Sequence, residues 1–153
     1  MKPLPDLECA CASARRAARL VTQLYGHEMG SEIEPTQFAL LTALKHSPAS
    51  RQILLGEILG LDKTSLSRNL RLMERNGWIE LTDSSDLRQR GYHLTAAGSK
   101  ILAATKPAWN RAQRKLRQAV TPAEWESMHK VLNHVAEAAL TILRPESRKQ
   151  TGP

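Results

Sequence analysis

The sequence has little of what secreted, disulfide-bonded or membrane-spanning proteins depend on. Only two of its 153 residues are cysteine, Cys9 and Cys11, both in the segment CACAS. A disulfide framework needs more cysteines, so small extracellular disulfide scaffolds are excluded. No apolar run approaches the roughly 18 residues of a transmembrane helix, and MKPLPDLE lacks the regions of a secretory signal. By elimination, we expect a cytoplasmic protein.

Sequence patterns of common enzyme classes are also missing. The five histidines show no metal-ligand spacing with carboxylates or with the cysteines. Neither a glycine-rich phosphate loop, nor a nucleophile elbow, nor an HExxH motif is found. We therefore expect that the chain is not an enzyme, and we expect no metal site and no cofactor.

Acidic residues are absent from one long stretch of a basic chain. The net charge is +7, and residues 87–120 contain eight arginines and lysines but no aspartate or glutamate. Such a bias indicates an anionic partner, with nucleic acid ahead of a membrane surface. A solvated basic face is the alternative, and charge alone does not decide between them.

Hydrophobic periodicity predicts a mainly α-helical chain with one short β-hairpin. The expected helices cover about 7–29, the segments EPTQFALLTALKH and ILLGEILG, 62–76, 95–120 with a kink at Pro107, and 121–143. Two short strands, WIELT and YHLT, are joined by the polar loop DSSDLRQRG. Asp62 is expected to cap its helix, and Thr121 to form a capping box with Glu124.

A short helix, a turn at Gly60, a second helix and a hairpin follow the order of a winged helix-turn-helix, whose second helix enters the DNA major groove. The helical wheel of DKTSLSRNLRLMERNGW turns Leu66, Leu70 and Met73 inward. The opposite side carries side chains that suit base edges and phosphates. The candidate DNA-contacting residues of this helix are Lys63, Thr64, Ser65, Ser67, Arg68, Asn69, Arg71 and Arg75.

Arg68 is the expected base contact, and Arg71 and Arg75 are the expected phosphate contacts. The alternative is a solvated surface helix with an ordinary pair between Arg71 and Glu74. In the hairpin loop, Arg88 and Arg90 are candidates for the minor groove, where the negative potential is strongest. Asp86 is expected to hold a nearby arginine, either Arg88 or Arg68.

The residues from LDKTSLSRNLRLMERNGWIE through DSSDLRQRGYHLTAAG resemble the MarR family of bacterial transcription regulators. The family's wing pattern is matched by Asp83, Asp86 and Arg88, and its closing pattern by Leu94, Thr95 and Gly98. QFALLTAL at residues 37–44 resembles the family's second helix, and the likeness spans about residues 7–143.

The length of the chain predicts a single unit, 1–153. Within it, we expect a winged helix-turn-helix region at 34–95, and the resemblance implies helical dimerisation regions at 7–30 and 96–143. It implies a homodimer on a pseudo-palindromic operator. The apolar spacing in residues 121–143, from Trp125 to Ile142, and the alanine-rich stripe of the first helix agree with such an interface.

The resemblance also implies a repressor that releases DNA when a small aromatic acid or phenol binds. Candidate pocket residues are Arg15, Arg16, Arg19, Tyr25, His46 and Trp109. The alternative for these residues is contact with phosphate or solvent, or plain packing in the case of Trp109.

Two other functions stay open. One branch of the resembled family senses hydroperoxides through a cysteine in the first helix, a region comparable to that of Cys9 and Cys11. A non-specific DNA-binding architectural protein would also account for the positive charge, and it would show no sequence preference.

Overall fold

A computed structural model of the chain describes residues 4–82 and 91–143. The described residues form helices α1 (Ala10–Met29), α2 (Pro35–His46), α3 (Gln52–Leu59), α4 (Lys63–Arg75), α5 (Ala96–Gln118) and α6 (Pro122–Leu143), and strands β1 (Ile79–Leu81) and β2 (Tyr92–Leu94). The order of these elements confirms the predicted, mainly helical fold with a two-stranded wing. The first helix begins at Ala10, later than predicted, and its N-cap Cys9 makes no side-chain hydrogen bond to the helix.

The chain divides into two compact units, Met1–Gln113 and Arg114–Pro153, with the boundary inside α5. The core of the first unit is formed mainly by leucines of α2 and the inner face of α4. Its fully buried side chains include Ile33, Leu40, Leu41, Leu44, Leu55, Leu70 and Met73.

The turn between α3 and α4 depends on one glycine in a left-handed conformation. Gly60 has φ 62° and ψ 30°, which a side chain would disfavour. The N–H of Leu61 donates to the carbonyl of Gly56 at 3.0 Å and ends α3. Asp62 then caps α4, as predicted, by accepting from the backbone N–H groups of Thr64 and Ser65. The two helices of the helix-turn-helix are thereby fixed by local hydrogen bonds.

The wing is an antiparallel pair in which Ile79 lies opposite Leu94 and Leu81 opposite Tyr92. The structure adds a contact that the sequence did not predict. Ser50, in the connection between α2 and α3, forms a β-bridge with Tyr92, whose N–H donates to the Ser50 carbonyl at 3.0 Å. The base of the wing is therefore hydrogen-bonded to the chain that leads into the helix-turn-helix.

In the second unit, α6 begins with the predicted capping box. Glu124 Oε2 accepts from the Thr121 N–H at 2.7 Å, and the Glu124 N–H donates to Thr121 Oγ1 at 3.2 Å. None of the residues of α6 is buried. The valine and leucine side chains of this helix are consequently exposed in the single chain, among them Val131, Leu132, Val135 and Leu140.

Candidate nucleic-acid interface and cavities

The outer face of α4 forms an open groove of about 840 Å³. Four of its lining side chains are cationic and two carry hydroxyl groups. The lining residues are Lys63, Thr64, Ser67, Arg68, Arg71, Leu72 and Arg75. Leu72 was not among the predicted residues, because the predicted set contained only charged and polar side chains.

The inner face of α4 holds this groove in place. Leu66, Leu70 and Met73 are only 2%, 1% and 0% exposed, so the predicted inward face is confirmed. Because all three pack into the core of the first unit, rotation of α4 about its axis would expose apolar surface to water. The direction in which the arginines project is therefore fixed before any partner binds.

Two predicted residues of α4 are engaged within the helix itself. The hydroxyl of Ser65 donates to Asp62 Oδ2 at 2.6 Å, and Asn69 Nδ2 donates to the Ser65 carbonyl at 2.9 Å. Hydrogen bonds from the Ser65 hydroxyl and from backbone N–H groups lower the pKa of Asp62 below its ordinary value. Thr64, Arg68, Arg71 and Arg75 remain exposed.

A side chain that the sequence did not indicate is hydrogen-bonded to Ser67 of α4. Gln52, at the start of α3, donates from Nε2 to Ser67 Oγ at 2.7 Å. No sequence spacing could have indicated this bond, since it joins two helices across a turn. The wing residues Asp86, Arg88 and Arg90 lie outside the described residues.

The chemistry of the α4 face suits a polyanion. Guanidinium groups form bidentate hydrogen bonds with phosphates and with guanine edges, and hydroxyls serve base edges or phosphates. An α-helix fits the width of the B-DNA major groove. The face can therefore contact both the DNA backbone and the base edges.

A cavity of about 410 Å³ in the first unit is bordered by α1, α2, α3 and α5. Trp109 lies in its wall, stacked on Phe38 with ring centroids 5.9 Å apart and edge-on to Tyr25 at 6.3 Å. The Lys106 ammonium lies 3.7 Å from the Trp109 ring centroid. The hydroxyl of Tyr25 donates to Gln113 Oε1, and burial raises the pKa of Tyr25 above its ordinary value.

A smaller cavity of about 200 Å³ shares Phe38, Thr42 and Lys106 with the larger one. It adds His46 and Lys45 from the end of α2 and Leu94 from the wing strand β2. The two cavities together offer an aromatic wall with cationic groups beside it. Of the predicted pocket residues, Tyr25 and Trp109 line the larger cavity and His46 lines the smaller one.

The three arginines of α1 line a different surface. Arg15, Arg16 and Arg19 border an open cavity of about 540 Å³ that also includes Leu4 and Leu20. Arg16 donates to the Pro5 carbonyl at 2.7 Å, so the segment before α1 folds back beside it. The structure does not bring these arginines together with Tyr25, His46 or Trp109.

Cys9 and Cys11 are both free and exposed. Within residues 4–82 and 91–143, no group of three histidine, cysteine or acidic side chains is placed to hold a metal ion. No helix in the described part of the chain is long and apolar enough to cross a membrane.

Comparison with protein families gives a match to the model of the MarR family over residues 31–90. The transcriptional regulator HosA of Escherichia coli O157:H7 is 36% identical over 87 residues, which are 56% of this chain and 64% of HosA. The matched region thus spans less than two thirds of the length of that relative.

Solved structures match over nearly the whole chain. The Mycobacterium tuberculosis transcriptional regulator MosR in complex with DNA has a TM-score of 0.78 and 30% identity, covering 88% of this chain and 98% of MosR. PcaV of Streptomyces coelicolor, solved with its natural ligand, has a TM-score of 0.77 and 23% identity over 91% of this chain and 99% of PcaV. At that identity, the likeness to PcaV shows the fold alone.

Proposed function

Because the chain belongs to the MarR family of transcription regulators, we propose that it is a homodimeric repressor that binds a pseudo-palindromic operator and releases it on binding a small aromatic acid or phenol. The outer face of α4 carries this proposal. It combines four cationic side chains with two hydroxyls on a helix whose opposite side is anchored in the core. Membership of a regulator family agrees with the expectation that the chain is not an enzyme.

On this proposal, Arg68 reads a base edge, while Arg71 and Arg75 contact phosphates and fix the register of α4 on the duplex. The wing residues Arg88 and Arg90 contact the minor groove, with Asp86 as the partner of a nearby arginine. MosR, which shares this fold, was solved in complex with DNA. The likeness supports DNA as the partner.

The exposed apolar faces of α1 and α6 support a dimer. Val21 and Leu20 of α1 and the leucines and valines of α6 are uncovered in the single chain. A second copy would remove this apolar surface from water, which is the usual driving force for homodimer formation. In a twofold dimer, the two α4 helices would enter successive major grooves about one helical turn apart.

For the effector, we propose a flat aromatic acid whose ring packs against Trp109 and Phe38. Its carboxylate would pair with Lys106, which borders both cavities, and with Lys45. The ammonium already lies over the Trp109 ring, so a charged group is positioned where an aromatic ligand would need one. A phenol would instead use the hydroxyl of Thr42 or the imidazole of His46.

The DNA part of the proposal is tested by competition. Operator duplex, obtained by selection from a randomised library, competes with random duplex at two salt concentrations. A regulator should prefer its selected site by about 10³-fold or more at physiological salt. A non-specific architectural protein would enrich no sequence, and its affinity would depend on salt alone.

The effector part is tested by thermal shift with a panel of small aromatic acids and phenols, since a ligand of the native dimer raises its unfolding temperature. An acid that stabilises the native protein and releases operator should lose most of its effect in Lys106→Met. The matched variant Arg19→Met, which lies in the α1 surface cavity, should keep the effect. The reverse pattern would place the effector beside α1, and no shift with any compound would overturn ligand control.

A second candidate function is thiol sensing, which the exposure of both free cysteines favours. A hydroperoxide would transfer one oxygen atom to the thiol of Cys9 or Cys11, giving a sulfenic acid, and would itself be reduced to an alcohol. Operator binding would then fall on peroxide treatment and return with a dithiol reductant. The double variant with both cysteines changed to serine should not respond, and an unchanged response in that variant would exclude this function.

A further inference from the structure

One hydroxyl on the α4 face is held by a side chain from the preceding helix. Gln52 and Ser67 are both half-buried, and Ser67 lines the α4 groove. The bond from Gln52 Nε2 to Ser67 Oγ measures 2.7 Å. A serine hydroxyl has one hydrogen to donate and two lone pairs to accept. This bond therefore uses accepting capacity of Ser67 and leaves its hydrogen free.

The hydrogen of Ser67 finds no acceptor among residues 4–82 and 91–143. Helical serine and threonine hydroxyls often donate to the carbonyl four residues earlier. Thr42, Thr105, Ser127 and Thr141 do so here, at 2.8, 2.8, 2.5 and 2.9 Å. Ser65 gives its hydrogen to Asp62. Ser67 differs from all of these, since its bond to Gln52 points its oxygen toward α3 and its hydrogen is not used within the helix.

We propose that Gln52 is a positioning residue that holds Ser67 as a hydrogen-bond donor to DNA. The proposal rests on the proposed function, because it requires that the α4 face binds DNA. The acceptor would be a phosphate oxygen or a base-edge acceptor such as guanine O6 or N7, adenine N7 or thymine O4. A hydroxyl that already accepts one hydrogen bond is polarised and donates more strongly.

The bond to Gln52 also limits the motion of Ser67 before DNA arrives. The entropy of ordering this side chain is lost during folding, so less is lost on binding. Gln52 is the first residue of α3, and in the proposed role it acts through its hydrogen bond to Ser67. The specific consequence is that the two residues contribute to affinity as a unit.

The experiment is a double-variant cycle on DNA. The native protein first selects its site from a randomised duplex library. Affinities are then measured for the native protein, Gln52→Met, Ser67→Ala and the double variant. Methionine keeps the length of the side chain and a good helix propensity while removing both polar groups. Equal unfolding temperatures and helical circular dichroism confirm that the variants fold.

We expect each single variant to weaken binding roughly two- to tenfold. The double variant should bind no more weakly than Ser67→Ala alone, because Gln52 has no effect once the hydroxyl is absent. Both single variants should also lose affinity over the same set of single-base variants of the site. A loss that is uniform over all sequences identifies a phosphate acceptor, and a loss at one base pair identifies a base acceptor.

The inference is overturned if the fold-loss of affinity in the double variant equals the product of the losses in the two single variants. It is also overturned if Gln52→Met binds like the native protein while Ser67→Ala does not. It is also overturned if Ser67→Ala has no effect. Gln52→Glu provides a second variant, because its carboxylate would take the Ser67 hydrogen. It should weaken binding more in the native background than in the Ser67→Ala background, where only its charge acts.

Failure of the proposed function gives a different result. If the native protein enriches no sequence, specific regulation is excluded. The four proteins are then compared on a random duplex. If the double variant again binds no more weakly than Ser67→Ala, Ser67 is still identified as a donor to phosphate. If the double variant loses the affinity of both single variants, the positioning role is overturned.

Discussion

At the scale of single residues, the side chains of α4 differ in how freely they can reach a partner. Ser65 and Asn69 are hydrogen-bonded within the helix, and Ser67 is held by Gln52. Arg68 and Arg71 are exposed on the groove side. The arginines can therefore adapt to DNA, while the smaller polar groups are ordered in advance.

Arg68 is the residue whose replacement should relax sequence preference. We expect Arg68→Ala to cost about 1–3 kcal/mol at one base pair of the selected operator, because a bidentate contact with a base edge is lost. Affinities for all single-base variants of the site provide the measurement. Arg75→Ala is the matched control and should weaken binding evenly across sequences. An even loss for Arg68→Ala would make it a phosphate contact.

Asp62 should make the stability of the fold depend on pH. Its pKa is lowered in the folded state, so its contribution is present above the ordinary carboxyl range and is lost as the pH falls through its folded pKa. Asp62→Asn keeps an acceptor for the backbone N–H groups but does not titrate. We expect the native protein to be more stable than Asp62→Asn at neutral pH, with the difference decreasing in acid.

Unfolding by urea at pH values from 7 to below the ordinary aspartate pKa of about 3.9 measures this difference. A constant difference between the two proteins over this range would show that the Asp62 charge does not stabilise α4. Asp62→Ala, which also removes the acceptor, should be less stable than Asp62→Asn at every pH.

At the scale of elements, close backbone packing joins α5 to Trp78, the residue just before strand β1. A Cβ atom on Gly98 would lie 1.9 Å from the carbonyl oxygen of Trp78. Neither segment can easily move, since the Thr95 N–H donates to that same carbonyl at 3.1 Å and Thr95 Oγ1 donates to the Gly77 carbonyl at 2.6 Å. The start of α5 is thus fixed against the wing.

Gly98→Ala should therefore destabilise the fold by about 1–3 kcal/mol or more, because the added methyl group overfills this contact. The matched control is Gly26→Ala in α1, where a Cβ would lie 3.9 Å from the nearest side-chain atom, Pro35 Cγ. Alanine there should stabilise the helix by about 0.5–1 kcal/mol. The measurement is the free energy of unfolding of both variants in denaturant. Equal changes in the two variants would contradict the close packing of Gly98 on Trp78.

Local signals account for what the sequence could predict about these elements. The inward face of α4 follows from the spacing of Leu66, Leu70 and Met73, and the caps at Asp62 and Thr121 follow from residues within one helical turn. The bridge from Ser50 to Tyr92 and the bond from Gln52 to Ser67 join segments whose approach no short spacing encodes. Those contacts required the folded structure.

The lining of the candidate pocket also depends on contacts between segments, which no short sequence spacing encodes. Arg15 and Tyr25 lie on one helix and were grouped as candidates, but ten residues of helix correspond to about 15 Å. The fold adds Phe38 and Lys106 to the walls around Tyr25 and Trp109 and leaves the arginines of α1 elsewhere. The sequence therefore predicted which helices take part better than which side chains meet.

At the scale of the whole molecule, α6 carries an apolar face that is exposed in the single chain and that a partner could cover. Val135 and Leu132 are each 54% exposed in the single chain. Both belong to the spacing from Trp125 to Ile142 that predicted an interface. The proposed homodimer is the arrangement that would cover them.

Val135→Lys should separate the proposed dimer, because a charge would be placed in an apolar interface. We expect the dimer dissociation constant to rise by at least about tenfold and operator affinity to fall with it. His134→Lys introduces the same residue at an exposed neighbouring position outside that spacing. Sedimentation analysis should find this control still dimeric. A monomeric native protein would contradict the proposal.

The hydrogen bond between Ser50 and Tyr92 limits where residues can be inserted into this protein or deleted from it. Gly91 packs so closely on Ala49 that an added Cβ would lie 2.0 Å from the Ala49 carbonyl oxygen. Residues inserted between His46 and Ser50 would push the wing strand out of its place or break this contact. Insertions and deletions, whether natural or engineered, should therefore be poorly tolerated at Ala49 and Ser50, although Ala49 lies on the surface.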